Sequence, residues 1–377
     1  MRTAIGTSDY HVSGETFINR HIDLLFGGDT VVVCGRFNGD NPYGKPVFAR
    51  RARPSGADIL TAPFWTLWNR MVHSTTRLPY GQAKRDLATF LRDQKVELVL
   101  AEFGTQALAL APLANELDIP IFTYFRGTDA SKALRAARIQ SAYRKMMPRL
   151  AGVISVSQFL LDNLARHGVT HPNAHVIPSG VDVRRFVPGD KIPLRCLAVG
   201  RFVEKKAPLV TLRAFAEATR DRPEAHLDFI GDGPLLAPAQ TLATELGVTG
   251  KVTFHGARPH DDVRAALAHA QFFLQHSITA ADGNTEGLPT AIQEAMASGC
   301  VTVSTRHAGI PEAIDEGQTG FLVDEHDAEG FTAAIAEAMN RPDADEMARR
   351  ARTVAESRFD NNALLEKLEA TIRGSLN

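Results

Sequence analysis

Short apolar runs of strand length recur along the chain, separated by longer stretches in which apolar positions follow a helical spacing. Val31–Cys34, Glu97–Leu100, Ile119–Tyr124 and Val153–Val156 form a first series of strand-like runs. Leu194–Val199, Leu227–Ile230, Lys251–Phe254, Phe272–Leu274, Val301–Ser304 and Gly320–Val323 form a second. Helical spacing covers Thr105–Leu117, Ser131–Leu150, Ala207–Arg220 and Leu235–Leu246 between them. Runs without polar alternation are buried on both faces, and strands alternating with helices build parallel sheets covered on both sides. The pattern therefore predicts an α/β protein with two doubly wound sheets. Between the series, His171–Pro193 gathers Pro172, Pro178, Gly180, Pro188, Gly189 and Pro193 without helical periodicity, which marks a boundary. The expected division is a domain over 1–175, a second over 176–360, and a terminal helix in 361–377 that crosses back onto the first. Ligands of such sheets bind outside the carboxyl ends of the strands, so two facing sheets predict a cleft between domains.

Composition narrows the setting. A chain of 377 residues exceeds what one ordinary core fills. No apolar run approaches the roughly 20 residues that cross a bilayer. Ser8 and Asp9 interrupt the N-terminal apolar stretch before it forms a secretory signal, so a cytoplasmic location is expected. Cys34, Cys196 and Cys300 lie within or beside strand-like runs and lack metal spacing, which predicts buried reduced thiols.

The net charge of −1 hides an asymmetry that changes the picture. Residues 1–175 hold 21 Lys and Arg against 14 Asp and Glu, whereas the remainder holds 21 against 29. Basic residues cluster at Arg50-Arg51-Ala-Arg53, at Lys84-Arg85 and from Lys132 to Arg149. An anionic partner for the first half follows. No nucleic-acid-binding motif is present, so no nucleic acid is expected, whereas an anionic membrane surface or a lipid diphosphate fits. Trp65 and Trp68, close to Arg70, belong either to a core or to an amphipathic helix lying in a membrane interface. A peripheral association with the inner membrane face is the corresponding expectation.

Two segments carry the chemistry. In Glu286-Gly-Leu-Pro-Thr-Ala-Ile-Gln-Glu294, Pro289 suits the first position of a helix that ends near Ser298 and is closed by Gly299. A carboxylate then stands beside unpaired backbone N–H groups at a helix N-terminus, a place that holds phosphate. Glu294 lies about five residues further, roughly 7.5 Å along the axis. Two carboxylates flanking an anion can take hydroxyls on either side of a diphosphate; a solvated helix cap is the plainer alternative. The second segment, Gly200-Arg-Phe-Val-Glu-Lys-Lys206, follows the first strand of the second series. Arg201 and Lys206, with Lys205 competing, can neutralise a leaving diphosphate. Asp343-Ala-Asp345 reads as a helix start and predicts no metal. His276 is expected on the acceptor side. Gly231-Asp-Gly233 lacks the third glycine of a dinucleotide fingerprint, which argues against a nicotinamide or flavin enzyme.

These motifs resemble those of glycosyltransferase family 4, the retaining GT-B enzymes. The likeness runs through Val176-Ile-Pro-Ser-Gly-Val-Asp182, Val199–Lys206, Phe229-Ile-Gly-Asp-Gly-Pro234, Val252–Gly256, Glu286–Gly299, Gly309-Ile-Pro-Glu312 and Gly317–Val323. Glu102-Phe-Gly104, Phe125-Arg-Gly-Thr-Asp129 and Ser155-Val-Ser157 are similar to the bacterial exopolysaccharide, colanic-acid-type branch. The resemblance implies two Rossmann-like domains and a retaining, metal-independent transfer of a hexose from a UDP- or GDP-sugar. It implies no cofactor beyond that co-substrate, and a lipid-linked or oligosaccharide acceptor. By position, Arg201 and Lys206 would hold the diphosphate, Glu286 the sugar and Glu294 the ribose. Backbone at Gly287 and Leu288 would meet phosphate or sugar hydroxyls, the region around Gly256 the base, and Gly14 the diphosphate. Relatives often carry histidine where this chain has Arg126, and an arginine cannot act as a base at neutral pH. The acceptor proton would go to Asp129, to Glu102 or to a donor phosphate oxygen. Asp129 equally suits a cap for a helix beginning near Ser131. A GT-B nucleotide-sugar 2-epimerase and a two-domain sugar-binding protein are the competing readings.

Overall fold

The computed structural model describes residues 1–12, 14–50, 56 and 58–376. Arg51 and Arg53 of the expected basic cluster, and Ser13 beside Gly14, lie outside the described residues. Contacts divide the chain into two compact units, Met1–Ile177 with Leu365–Asn377, and Pro178–Leu364.

Unit 1 contains strands β1 (Thr3–Asp9), β2 (Thr30–Arg36), β3 (Val47–Ala49), β4 (Leu98–Glu102), β5 (Ile121–Phe125), β6 (Gly152–Ser155) and β7 (Ala174–Val176). Their order is β3-β2-β1-β4-β5-β6-β7, with parallel pairing throughout. Helices α1 (Thr16–Leu24), α2 (Asp58–His73), α3 (Gly81–Asp93), α4 (Gly104–Glu116), α5 (Ala137–Met146) and α6 (Gln158–Arg166) connect them. Unit 2 contains β8 (Ile192–Val199), β9 (His226–Ile230), β10 (Val252–Phe254), β11 (Ala270–Gln275), β12 (Val301–Thr305) and β13 (Gly320–Val323), in the order β10-β9-β8-β11-β12-β13 and again parallel. Its helices are α7 (Pro208–Ala218), α8 (Leu236–Glu245), α9 (His260–His269), α10 (Thr290–Ala297), α11 (Ala328–Asn340) and α12 (Ala344–Arg358). The last helix, α13 (Asn361–Leu376), starts in unit 2 and ends in unit 1, where Leu368 and Ile372 are buried and Glu369 Oε1 accepts the Phe26 N–H at 2.6 Å.

Both sheets are α/β and doubly wound, as the alternation of runs predicts. In each, chain order reverses direction at one place: between β1 and β4 in unit 1, and between β8 and β11 in unit 2. Ligands of open parallel sheets bind outside the carboxyl ends of the strands at such a switch point. The cores explain why the strands read as apolar runs. Phe215, Leu227, Phe272, Val303 and Phe331 are buried together in unit 2, with helices on both faces.

Three strands of unit 1 escape the predicted series. β1 is central, but Thr3 and Thr7 carry polar side chains into the sheet and bond locally, which breaks its apolar signature. β3 and β7 are three-residue strands at the sheet edges, too short for any periodicity. The helix expected over Ser131–Leu150 is interrupted: a 3₁₀ turn at Lys132–Arg135 precedes α5, and Ala136 between them is extended, with φ −89° and ψ 111°.

Candidate active site

The strongest expectation centred on Glu286, which follows β11 and enters α10. Pro289 is the residue before the helix rather than its first member, with ψ 125°, and Thr290 opens α10. The shift leaves a longer non-helical approach, Glu286–Pro289, whose backbone can turn its donors outward. Among the described residues, the N–H groups of Gly287, Leu288, Thr290 and Ala291 have no hydrogen-bond acceptor. These donors and the positive end of the helix dipole make an anion site. At the other end Gly299 closes the helix with φ +68°, as its position predicts.

Glu286 is itself buried, at 7% exposure. Its Oε1 lies 3.1 Å from Lys206 Nζ and its Oε2 3.4 Å from Lys205 Nζ. Burial alone would raise its pKa; Lys206 and then Lys205 outweigh that and bring it to about 2, so it stays an anion. Lys206 is pulled below the usual lysine value, first by burial, while Glu286 opposes the fall. The two lysines share the carboxylate, so neither displaces the other as the sequence left open. Lys206 Nζ also donates to Gln275 Oε1 at 3.2 Å, and Lys205 Nζ to the Thr285 carbonyl at 3.2 Å. Arg201 is exposed, makes no ion pair or side-chain hydrogen bond among the described residues, and repels Lys206.

Glycine is required where these loops meet. At Gly231, φ is +148° and a Cβ would stand 1.9 Å from the Gly200 carbonyl oxygen, so the turns after β8 and β9 touch backbone to backbone. Gly256 completes this edge: its carbonyl accepts the Gly231 N–H at 2.9 Å, and its own φ is +66°.

Glu294 is also buried, and its Oε1 lies 3.0 Å from His260 Nε2 at the start of α9. That hydrogen bond, first among the causes, raises the His260 pKa. His260 is a site residue that sequence reasoning missed, although its place as the opening residue of a helix was available as a signal. His307 was missed too. It follows β12, accepts the Glu286 N–H at 3.0 Å through Nε2, and is held by Glu325 Oε1 at 2.7 Å.

The residues expected on the acceptor side form a different cluster, inside unit 1. Glu102 is fully buried, with Oε1 2.6 Å from His21 Nδ1 and Oε2 2.8 Å from Arg126 Nε. Burial works to raise its pKa, but Arg126 and His21 lower it below the usual carboxylate value. Arg126 stacks its guanidinium over Phe17 and Tyr124, at 4.1 and 3.9 Å from the ring centroids. Asp129 is 3% exposed; its Oδ2 accepts the Gly104 N–H at 2.8 Å, and its Oδ1 those of Arg126 and Gly127 at 3.1 Å each. It therefore braces the start of α4 and the turn after β5, not a helix at Ser131. Both carboxylates have their oxygens committed inside the fold, which argues against either as the base the sequence suggested.

One further expectation is corrected. His276 packs at 0% exposure edge-on to Phe331, so it belongs to the core rather than to an acceptor surface. Gly14 is exposed in the turn between β1 and α1, and a Cβ there would meet nothing within 4 Å, so no close approach in this structure demands glycine. Among the described residues no group of three or more His, Cys, Asp or Glu is placed to hold a metal ion. All three cysteines are free and buried.

Comparison with known proteins joins the two units to one chemistry. The family model described as glycosyl transferases group 1 matches residues 185–358, and that described as glycosyltransferase family 4 matches residues 27–185. The chain is 30% identical to WcaL of Escherichia coli, named for colanic acid biosynthesis, over 74% of this chain and 71% of that protein. It is 32% identical to the amylovoran biosynthesis glycosyltransferase AmsK of Erwinia amylovora, over 63% and 60% respectively. Among solved structures, Anabaena HepE in complex with UDP shares the fold, with a TM-score of 0.78 and 16% identity over 99% of this chain and 100% of that one.

Proposed function

The chain belongs to the GT-B glycosyltransferases of the family 4 type, and from that premise we propose that it moves a hexose from a UDP- or GDP-sugar onto a lipid-linked glycan, with retention and without a metal. The observation that carries the reading is Glu286, buried beside two lysines at the unit 2 switch point, next to backbone donors without acceptors. WcaL and AmsK are named for surface polysaccharides, which supports exopolysaccharide assembly as the setting. HepE was solved with UDP and with UDP-glucose, which supports a uridine donor.

In this reading the donor diphosphate lies against the N–H groups of Gly287, Leu288, Thr290 and Ala291. Arg201 and Lys206 neutralise it as charge develops on the leaving oxygen, the role a metal would otherwise fill. Glu286 accepts a sugar hydroxyl, and Glu294, braced by His260, takes the ribose hydroxyls. The edge around Gly256 lies against the base. The bond from C1 to the donor phosphate oxygen breaks, and the acceptor oxygen forms its bond to C1 from the same face. The acceptor's proton passes to that departing oxygen. No side-chain base is needed, in keeping with the committed oxygens of Glu102 and Asp129.

A panel of UDP- and GDP-sugars tests the reading. One donor should raise the unfolding temperature and be hydrolysed slowly to a sugar with the donor's anomeric configuration. If no nucleotide sugar stabilises the protein, and Glu286→Ala and Arg201→Ala behave as wild type, the reading fails.

The same proposal includes peripheral membrane contact. Among the described residues no helix is long and apolar enough to cross a membrane. Yet α2 exposes Leu60, Phe64, Leu67, Trp68 and Met71, a stripe at helical spacing, with Leu60 86% exposed. Such a stripe beside basic residues suits an interface with anionic lipid. Leu60→Ser with Phe64→Ser should abolish sedimentation with anionic vesicles; unchanged sedimentation would remove α2 from that role.

A further inference from the structure

The switch point of the unit 1 sheet is a cavity of about 880 Å³, bounded by the carboxyl ends of β1 and β2, the start of α4 and the segment Thr76–Tyr80. Three arginines line it; Arg36 is paired with Asp9, which leaves the guanidinium groups of Arg50 and Arg77. Arg50, just after β3, donates through Nη2 to Gln106 Oε1, and Gln106 Nε2 donates to Ser8 Oγ at 2.6 Å. The Arg50 Nε is buried without a hydrogen-bond partner. Arg77 approaches from the Thr76–Tyr80 segment, and its side chain has no ion pair or hydrogen bond among the described residues. The two are close enough to act on each other: burial first, and then the charge of Arg77, pull Arg50 down from the usual guanidinium value.

Carboxylates are present at this cavity, but each is engaged elsewhere. Asp9 accepts from Arg36 at 2.5 Å. Asp58 accepts the Gln82 N–H, and Asp86 the Gln82 side chain, both at 2.6 Å. None forms an ion pair with Arg50 or Arg77 among the described residues. Two like charges kept together at a ligand-binding edge call for an anion with several acceptor oxygens, and guanidinium matches phosphate oxygens in pairs. A second cavity, of about 740 Å³, shares Leu78, Pro79 and Tyr80 with the first; Trp65, Trp68 and Leu113 give it an apolar part, and Lys84, Arg85, Arg92 and Glu116 also line it. The two arginines therefore adjoin a cavity whose near wall, Trp65, Trp68, Leu78 and Pro79, is aromatic and aliphatic.

We propose that Arg50 and Arg77 hold a diphosphate group of the acceptor, and that the adjoining cavity takes an apolar chain attached to it. The proposal rests on the glycosyltransferase reading for the word acceptor, but the binding site stands on its own geometry.

Trp65 and Trp68 are the only tryptophans of the chain, so intrinsic fluorescence reports on this region. The full-length protein is titrated with farnesyl diphosphate, with farnesol and with inorganic pyrophosphate. Farnesyl diphosphate should change the emission, and Arg77→Ala and Arg50→Gln should each weaken that response by roughly tenfold or more, the worth of one charge-assisted bond. A stronger response to farnesyl diphosphate than to pyrophosphate assigns a lipid source, and equal responses assign a soluble diphosphate. Arg77 is exposed and its loss leaves the fold intact, which unfolding of each variant verifies. No emission change, or one that both variants retain, overturns the proposal. UDP binding measured on the same variants separates the two readings. Failure of wild type to bind UDP defeats the donor assignment alone, and absence of the Arg-dependent response defeats the diphosphate site alone.

Discussion

The two sheets share a strand order through their first six strands, yet their switch points handle charge in different ways. In unit 2 a buried carboxylate sits between two lysines, so the protein offsets one of their two positive charges before any ligand arrives. In unit 1 Arg50 and Arg77 stand together with every nearby carboxylate engaged elsewhere. The first arrangement suits a reaction in which charge moves: Lys206 can follow the leaving diphosphate while Glu286 keeps the sugar. The second suits plain holding of an anion. Beneath the unit 1 sheet edge, Glu102 is neutralised in its turn by Arg126 and His21, but in a fully buried position.

Breaking a neutralised cluster should cost most. Glu102→Ala would leave Arg126 buried without its carboxylate and lower stability by about 3–5 kcal/mol, read from denaturant unfolding. A loss under about 1 kcal/mol would mean that the cluster relaxes to water and is not sealed. Lys206→Ala comes next. It should lower kcat by about 10²–10³, or ~2.7–4 kcal/mol, as expected for losing one group that stabilises a developing oxyanion. Lys205→Ala should cost less, because Lys205 also serves the Thr285 carbonyl and reaches Glu286 only at 3.4 Å.

A buried group outside both charge clusters sharpens the contrast. Burial lowers the His276 pKa to about 4 from its ordinary 6.5. The unfolded chain binds this proton between those values and the folded chain does not. Its contribution to stability is therefore complete above pH 6.5, declines as pH falls, and is gone near pH 4, a loss of at most about 3 kcal/mol. His276→Leu should flatten that part of the stability profile, and an unchanged slope would place the titration elsewhere. The smallest effect belongs to the uncompensated site. Arg77→Ala removes repulsion and breaks no pair, so stability should stay within about 0.5 kcal/mol of wild type in the same unfolding experiment.

Much of this was legible from the chain, and the failures have physical causes. The apolar runs of unit 2 announced its strands because β11, β12 and residues 196–198 of β8 are buried on both faces. Glu286 was legible because the glycine, proline and loop around it belong to one helix start. Hydrogen-bond partners brought from distant segments were not. His307 and His260 come from other strands and helices, and no spacing relates them to Glu286 or Glu294. Asp129 was seen as a helix cap or a base, but the N–H groups it holds belong to α4 and to the turn after β5, fixed only when β4 and β5 pair. His276 looked polar and near a strand end; only the packing of Phe331 shows that it is core.

The central claim is that the nucleotide diphosphate binds at the N-terminus of α10 beside Lys206. Calorimetric titration of UDP into wild type, Lys206→Ala and Arg77→Ala tests it directly. The account predicts equal binding by wild type and Arg77→Ala, and binding weaker by roughly tenfold or more in Lys206→Ala. Undiminished UDP binding by Lys206→Ala, or its loss in Arg77→Ala, would contradict it.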